Sequence, residues 1–257
     1  MSEATGTAAE AWTADEIMSV VGSRALRDGM SCFVGIGIPS TVANLARRTH
    51  APNLVLIYES GPIGSKPSHL PLSIGDGELA TTADAVVAVP EMFNYWLQGG
   101  HVDMGYLTAA QIDRFGNLNS TIVGSDYGAP DVRLPGAGGA PEIAACCREV
   151  TIIMRHNVRA FVPEVDFVTS VGFGDGAGFR KKHGLTGAGP QTVITDLGIL
   201  RPDSGDGELI LTAVHPGVKT EDVLASTQWP LRVAREVGVT EPPTPGELEA
   251  LRALKSG

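Results

Sequence analysis

Short β-branched runs alternate along this chain with stretches whose apolar residues recur at helical spacing, the pattern of an α/β fold. Thr13 and Glu16 form a T-x-x-E capping box, with Ile17, Val21 and Ala25 behind it on one helical face and Gly29 as the stop. Strand-like runs follow at residues 32–34, 54–58, 85–89, 150–154, 167–171, 192–194 and 209–214. Helices are predicted over 40–48, 91–97, 221–225 and 246–255. Residues 124–140 are rich in Gly and Pro without periodicity, and read as a long functional loop over the sheet edge. Residues 241–246 are a proline-rich turn into the last helix. No repeat, coiled coil or low-complexity block interrupts the pattern. The expected organisation is one domain over 13–257 behind a flexible segment 1–12.

Composition narrows the function. Hydrophobic residues are 43% and charged residues 19% of the 257, an ordinary globular balance. A formal net charge of -10 repels nucleic acid and anionic membranes, so neither is expected as a partner. Cys32, Cys146 and Cys147 cannot all pair, which fits reduced thiols in a cytosol. The start, MSEATGTAAEAW, lacks a basic, then apolar, leader. No apolar run approaches the roughly 20 residues of a membrane span. A soluble, cytoplasmic protein is expected.

Val34-Gly35-Ile36-Gly37-Ile38-Pro39-Ser40 joins the first strand to a helix. Its glycines let backbone approach a ligand, and free amides at the helix start favour an anion. Pro39 suits the first helical turn. A dinucleotide site would need a third glycine where Ser40 stands, although Glu59 occupies the place of a ribose-binding carboxylate. The sharp Ser60-Gly61-Pro62-Ile63-Gly64 turn exceeds what that role requires, and a plain connection without ligand also fits. Lys66 follows Ser65 and not Gly, so there is no phosphate-binding P-loop.

Glu59 stands directly after the buried run Leu54-Val55-Leu56-Ile57-Tyr58, at the carboxyl end of a strand, where open α/β sheets gather their ligands. A catalytic base or nucleophile and a structural, turn-capping carboxylate both fit that position. Gly61 and Gly64 would let an acyl group reach it. Gly136-Ala137-Gly138-Gly139-Ala140 offers backbone amides to an oxyanion, or is a flexible surface loop, and Arg133 before it meets a phosphate or anchors the loop. Phe93, Tyr95 and Trp96 fit core packing better than ring contact with a substrate; Asn94 and Gln98 line a pocket or face solvent. Arg180-Lys181-Lys182-His183 is the densest basic run, either a phosphate neutraliser or a solvated loop. Cys146-Cys147 lacks metal spacing, and His156 and His215 read as structural groups, so no metal site is expected.

In chain order, Gly35-Ile36-Gly37-Ile38-Pro39, Glu59-Ser60-Gly61 and Gly138-Gly139-Ala140 resemble the β subunits of class I coenzyme A transferases. Gln98-Gly99-Gly100-His101-Val102-Asp103 and the block Ala110-Gln111-Ile112-Asp113-Arg114-Phe115-Gly116-Asn117-Leu118-Asn119 are similar to its glutaconate branch. The resemblance implies an open, mostly parallel sheet flanked by helices, an α-subunit partner in an α2β2 assembly, and an acyl-coenzyme A substrate with no other cofactor. It implies that Glu59 attacks a thioester, giving a mixed anhydride and then a glutamyl-coenzyme A thioester. Together with the readings above, the residues expected around the substrate are Gly35, Gly37, Tyr58, Ser60, Gly61, Asn94, Gln98, Gly138 and Gly139. The motif around Glu59 departs from the common Ser-Glu-Asn-Gly, reading Tyr58-Glu59-Ser60-Gly61. Over its length the chain most resembles the β subunit of the steroid ring-opening hydrolases of this family. Hydrolytic opening of the last ring of a cyclic acyl-coenzyme A in cholesterol and steroid catabolism is therefore the first expectation. Transfer of coenzyme A between carboxylic acids through Glu59 is the second, and a dinucleotide-binding or regulatory role the third.

Overall fold

A strand buried on both faces needs helices above and below it, and the element order supplies them. The computed structural model describes residues 12–256; the expected flexible segment 1–12 lies, Trp12 apart, outside the described residues. In chain order come α1 Ala14–Ser23, β1 Ser31–Phe33, α2 Ile38–Arg48, β2 Val55–Ile57, β3 Pro62–Ile63, α3 Gly77–Thr81, β4 Ala85–Val86 and α4 Val89–Glu91. Helix α4 runs straight into a π-helical turn, Met92–Leu97. Then follow β5 Met104–Leu107, β6 Gln111–Ile112, β7 Leu118–Asn119, β8 Ile122–Val123, β9 Val132–Arg133, α5 Ala140–Cys146 and β10 Glu149–Ile153. The chain closes with α6 Phe179–Lys182, β11 Pro190–Ile194, β12 Gly198–Pro202, β13 Leu209–Val214, α7 Thr220–Ala225, β14 Arg232–Val239 and α8 Pro245–Ser256.

Ten strands form one sheet in the order β14-β13-β12-β11-β10-β5-β1-β2-β3-β4. The centre, β11-β10-β5-β1-β2, is parallel throughout. Antiparallel pairings extend it to β12 and β13 on one side and to β3 and β4 on the other, with β14 parallel to β13. The expected sheet is thus present, with antiparallel wings. Side chains alternate across it. Cys32, Leu56, Tyr58 and Tyr106 face Met18 of α1 and Val42 and Ala46 of α2. Phe33, Ile57, Leu107 and Ile152 face Met92 and Leu97 of the π turn and Ile143 of α5. Helix α8 packs on α1 and α2 through Leu251 and Leu254, each worth about 1.5–3 kcal/mol of burial. Ion pairs of 2.7 Å, Arg24–Glu247 and Arg252–Glu16, flank that contact.

Several expectations shift. The capping box forms as read, but α1 ends at Ser23. Ala25 and Leu26 then donate three residues back, to Gly22 and Ser23, and Gly29 (φ 79°) makes a later turn into β1. Residues 167–171 form no strand. Thr169 and Ser170 both donate to the Leu118 carbonyl, which leaves only an isolated bridge between Leu118 and Ser170. The loop 124–140 contains β9, paired with β8, before its glycine segment begins. Arg133 caps that hairpin, donating to the Tyr127 carbonyl at 2.8 Å with its guanidinium 4.7 Å over the Tyr127 ring. The basic run divides: Lys181, Lys182 and His183 are exposed, whereas Arg180 is buried.

His156 is a buried structural group, as expected. Its ring stacks on Phe161 at 3.6 Å and its nitrogens meet Thr195 and Thr227 hydroxyls. Burial pushes its pKa down to about 4, against a smaller opposing pull from Asp196. The fold therefore favours neutral His156, so this contribution is intact above pH ~6.5 and is lost as pH falls toward 4. Between pH 6.5 and 5 the loss is about 1.5 kcal/mol of unfolding free energy. Urea unfolding at the two pH values checks this, with His156→Gln expected to reduce the difference and His215, whose pKa burial also lowers, to keep the rest.

Candidate active site

Alternation along β2 decides where its last carboxylate points. Ile57 faces α5 and Tyr58 faces α2, so Glu59 returns to the α5 side. There the Gly139 N–H, at the N-cap of α5, donates to Glu59 Oε2 at 3.2 Å. The glycine segment carrying that amide is held from below. Ser120 Oγ donates to the Gly136 carbonyl and the Gly136 N–H to the Ser120 carbonyl, both at 2.8 Å. Ser120 follows the β6–β7 hairpin, which the distinctive block 110–119 builds. In that hairpin Asp113 accepts from Phe115 N (2.9 Å), Asn117 N (3.0 Å) and Asn117 Nδ2 (2.8 Å). Burial raises the Asp113 pKa, which those hydrogen bonds oppose. The block is a scaffold for the site.

Two clefts meet at Glu59. One, about 300 Å³, is lined by Phe33, Gly35, Ile36, Leu107, Thr108 and Ser120. The other, about 450 Å³, is lined by Ser60, Val89 and Phe93; Ile74, Gly138 and Gly139 border both. Among the described residues no Lys, Arg or His lines either cleft, and Glu59 is the one carboxylate of a largely apolar site. A larger cleft of about 510 Å³ opens beside Asp113, Arg114 and Glu164, and the saturated Asp113 offers it no free nucleophile.

The residues expected around the substrate divide in four. Gly35, Ser60, Gly138 and Gly139 border a cleft with Glu59, and Ser60 Oγ donates to the Ile74 carbonyl at 2.6 Å. Tyr58 is buried on the opposite face, its hydroxyl toward Ser40 and Asn44 without a hydrogen bond of ordinary geometry, and burial raises its pKa. Gly37, Asn94 and Gln98 are exposed and line neither cleft. Gly61 is required for another reason than acyl access. A Cβ there would stand 2.1 Å from the Val87 carbonyl oxygen, and Val87 N donates to Gly61 O at 3.1 Å, so the glycine lets the wing strands pair. Thr108, Ile74 and Ser120 line the clefts without being sequence candidates, and Phe93, which the pattern assigns to core packing ahead of ring contact, lines one as well. Ser120 alone had a signal, its place just after the distinctive block.

Gly139 has no room for a side chain. An added Cβ would lie 2.7 Å from Phe93 Cζ and 2.9 Å from Glu59 Oε2. Gly139→Ala is expected to lower kcat about ten- to a hundredfold, ~1.4–2.7 kcal/mol of barrier, by displacing the amide from the carboxylate. Steady-state assays alongside thermal melts check this.

A carboxylate at a parallel-strand end, beside a glycine-rich amide loop, is an arrangement compatible with acyl transfer. Residues 16–226 match the coenzyme A transferase family, and the chain belongs to it. It is 57% identical over 246 residues to the B subunit of the 3-oxoadipate CoA-transferase of Pseudomonas knackmussii, covering 96% of this chain and 94% of that one. The B subunit of the glutaconate CoA-transferase of Acidaminococcus fermentans is 36% identical, over 94% and 91% of the two chains. The crystal structure of that organism's glutaconate coenzyme A-transferase superposes with a TM-score of 0.88 at 34% identity, covering 95% of each chain. The chain is a B-type subunit of the glutaconate and 3-oxoadipate kind.

These findings correct the first expectation. The steroid ring-cleaving hydrolase subunit of Mycobacterium tuberculosis is only 26% identical over 94% of each chain, against 57% for the 3-oxoadipate and 36% for the glutaconate transferase subunit. Hydrolytic ring opening and a place in cholesterol catabolism are therefore replaced by transferase chemistry. The departure after Glu59 misled because Ser60 bonds the neighbouring loop, a role that says nothing of water.

Proposed function

We infer that this chain is the B-type half of a two-subunit transferase that moves coenzyme A between an acyl-coenzyme A and a dicarboxylate of the 3-oxoadipate class, with Glu59 as covalent carrier. The observation that carries this is the Glu59 carboxylate, held by the Gly139 amide at the junction of two clefts. The identity to the 3-oxoadipate CoA-transferase chain supports the acceptor class. Glu59 attacks the thioester carbonyl; the C–S bond breaks and coenzyme A leaves as thiolate. The thiolate then attacks the Glu59 carbonyl of the anhydride, freeing the donor acid and leaving a glutamyl thioester. The acceptor carboxylate reverses both steps, so no net proton moves. On this reading the Gly139 N–H, which donates to Glu59 Oε2, stabilises charge on the Glu59 oxygens along the path.

The active form on this reading is an α2β2 complex with an α subunit, and coenzyme A enters only as part of the substrate. Among the described residues no helix is long and apolar enough to cross a membrane, and no group of three His, Cys, Asp or Glu side chains could hold a metal. The test is 3-oxoadipate labelled with ¹⁸O in its carboxylates, given to the two-subunit complex with succinyl-coenzyme A. Label arriving in the released succinate after several turnovers, by way of Glu59, supports the reading. Transfer without label exchange would overturn covalent carriage, and no transfer would overturn the acceptor class.

A further inference from the structure

A carrier that holds its cargo as an anhydride and then a thioester must keep water from both, and the clefts beside Glu59 are open enough to admit it. We propose that Phe93 is the water-excluding wall of the site, the side chain that keeps this carboxylate a transferase nucleophile. The inference rests on the coenzyme A transfer reading above. Phe93 and Glu59 border the same cleft, and both converge on Gly139, where an added Cβ would meet Phe93 Cζ at 2.7 Å and Glu59 Oε2 at 2.9 Å. The ring is backed by Phe33, centroid to centroid 6.1 Å at 56°, and Phe33 lines the opposite cleft. Each of the two clefts that meet at the carboxylate is thus lined by an aromatic side chain.

The local backbone explains why Phe93 holds that place. Gln98 N donates to Phe93 O and His101 N to Trp96 O, each five residues back and 2.9 Å long. In this wider repeat Met92 and Leu97, five apart, are the pair buried in the core, both at 0% exposure. Phe93 is left at the boundary, half-buried, over the amide loop. A π turn in a helix is a local irregularity that recurs at functional sites because it re-aims a side chain. Here it aims a ring at the space from which water would attack. Without the ring, water adds to the Glu59 carbonyl of the glutamyl thioester and the C–S bond breaks. Coenzyme A then departs as thiol, and the Glu59 carboxylate and one proton are released.

The two-subunit complex is assayed for coenzyme A thiol release without acceptor, and for transfer with acceptor. Phe93→Ala is expected to raise the ratio of hydrolysis to transfer by about tenfold or more, and Phe93→Leu by about threefold, with ¹⁸O from solvent entering Glu59. A merely structural Phe93 would lower both rates together and leave the ratio unchanged in the two variants, which overturns the proposal. Should the alanine variant fail to assemble, the leucine variant decides. A wild-type complex that transfers normally while both variants keep its ratio sinks this inference alone. Absence of transfer in the wild type sinks the functional reading with it.

Discussion

Glu59→Gln is expected to lower coenzyme A transfer about a thousandfold, ~4 kcal/mol of barrier, with assembly and melting temperature close to wild type. The amide is nearly the same shape, and its oxygen still accepts from the Gly139 N–H, the only hydrogen bond that Glu59 makes among the described residues. What it lacks is an anionic oxygen able to attack a thioester and leave again. A structural carboxylate would behave in the opposite way, since its loss would be felt in the melt. Mass spectrometry of the complex after incubation with acyl-coenzyme A should find an adduct on the wild-type chain and none on the variant. Transfer within threefold of wild type would return Glu59 to a structural role.

Arg180→Met is expected to cost about 3 kcal/mol of unfolding free energy, among the larger effects of a single substitution. Its guanidinium is buried, 9% exposed, and donates only to backbone carbonyls: Gly187 at 3.0 Å, Gly172 at 2.8 Å, Ala144 at 2.9 Å and Ala145 at 3.2 Å. Burial lowers its pKa, but the ordinary value is so high that the cation persists. Two of those carbonyls belong to the last turn of α5, where a cation also suits the helix dipole. Methionine fills similar space but takes the guanidinium donor from all four carbonyls, of which Ala145 keeps the Gly187 N–H at 2.8 Å. Arg180→Lys should recover only part of the loss, because one ammonium cannot fork across carbonyls from three segments. Denaturant titration reads both, and a loss under about 0.5 kcal/mol for Arg180→Met would contradict the account.

Transferases and hydrolases of this fold show where sequence reading reached its limit. The resemblance led to the right family through a block of residues, Gln111 to Asn119, that bonds to itself and so ties its pattern to the fold. For the same reason it says little about the reaction. The groups that border Glu59 are backbone amides, a few hydroxyls and mostly apolar side chains contributed by separate segments, Phe33, Ile74, Phe93 and Gly139 among them. Nothing in the local pattern of any one segment marks it as a neighbour of the others.

By itself the sequence determined the α/β class, the capped first helix, the two glycine-rich turns and the carboxylate at a strand end. Each depends on contacts a few residues apart, so each leaves a local trace. Strands without such a trace were missed. Gly105 interrupts the apolar run of β5, and β14 is an edge strand whose mostly exposed residues carry no alternation. Tertiary structure alone decided that Tyr58 turns away from the site while Glu59 turns toward it, and that Gly61 serves strand pairing. It also moved Arg180 from the basic surface run into the interior and brought Phe93 across to Gly139. Those outcomes depend on which elements meet after the chain closes on itself, through contacts between residues tens of positions apart that a local pattern does not encode.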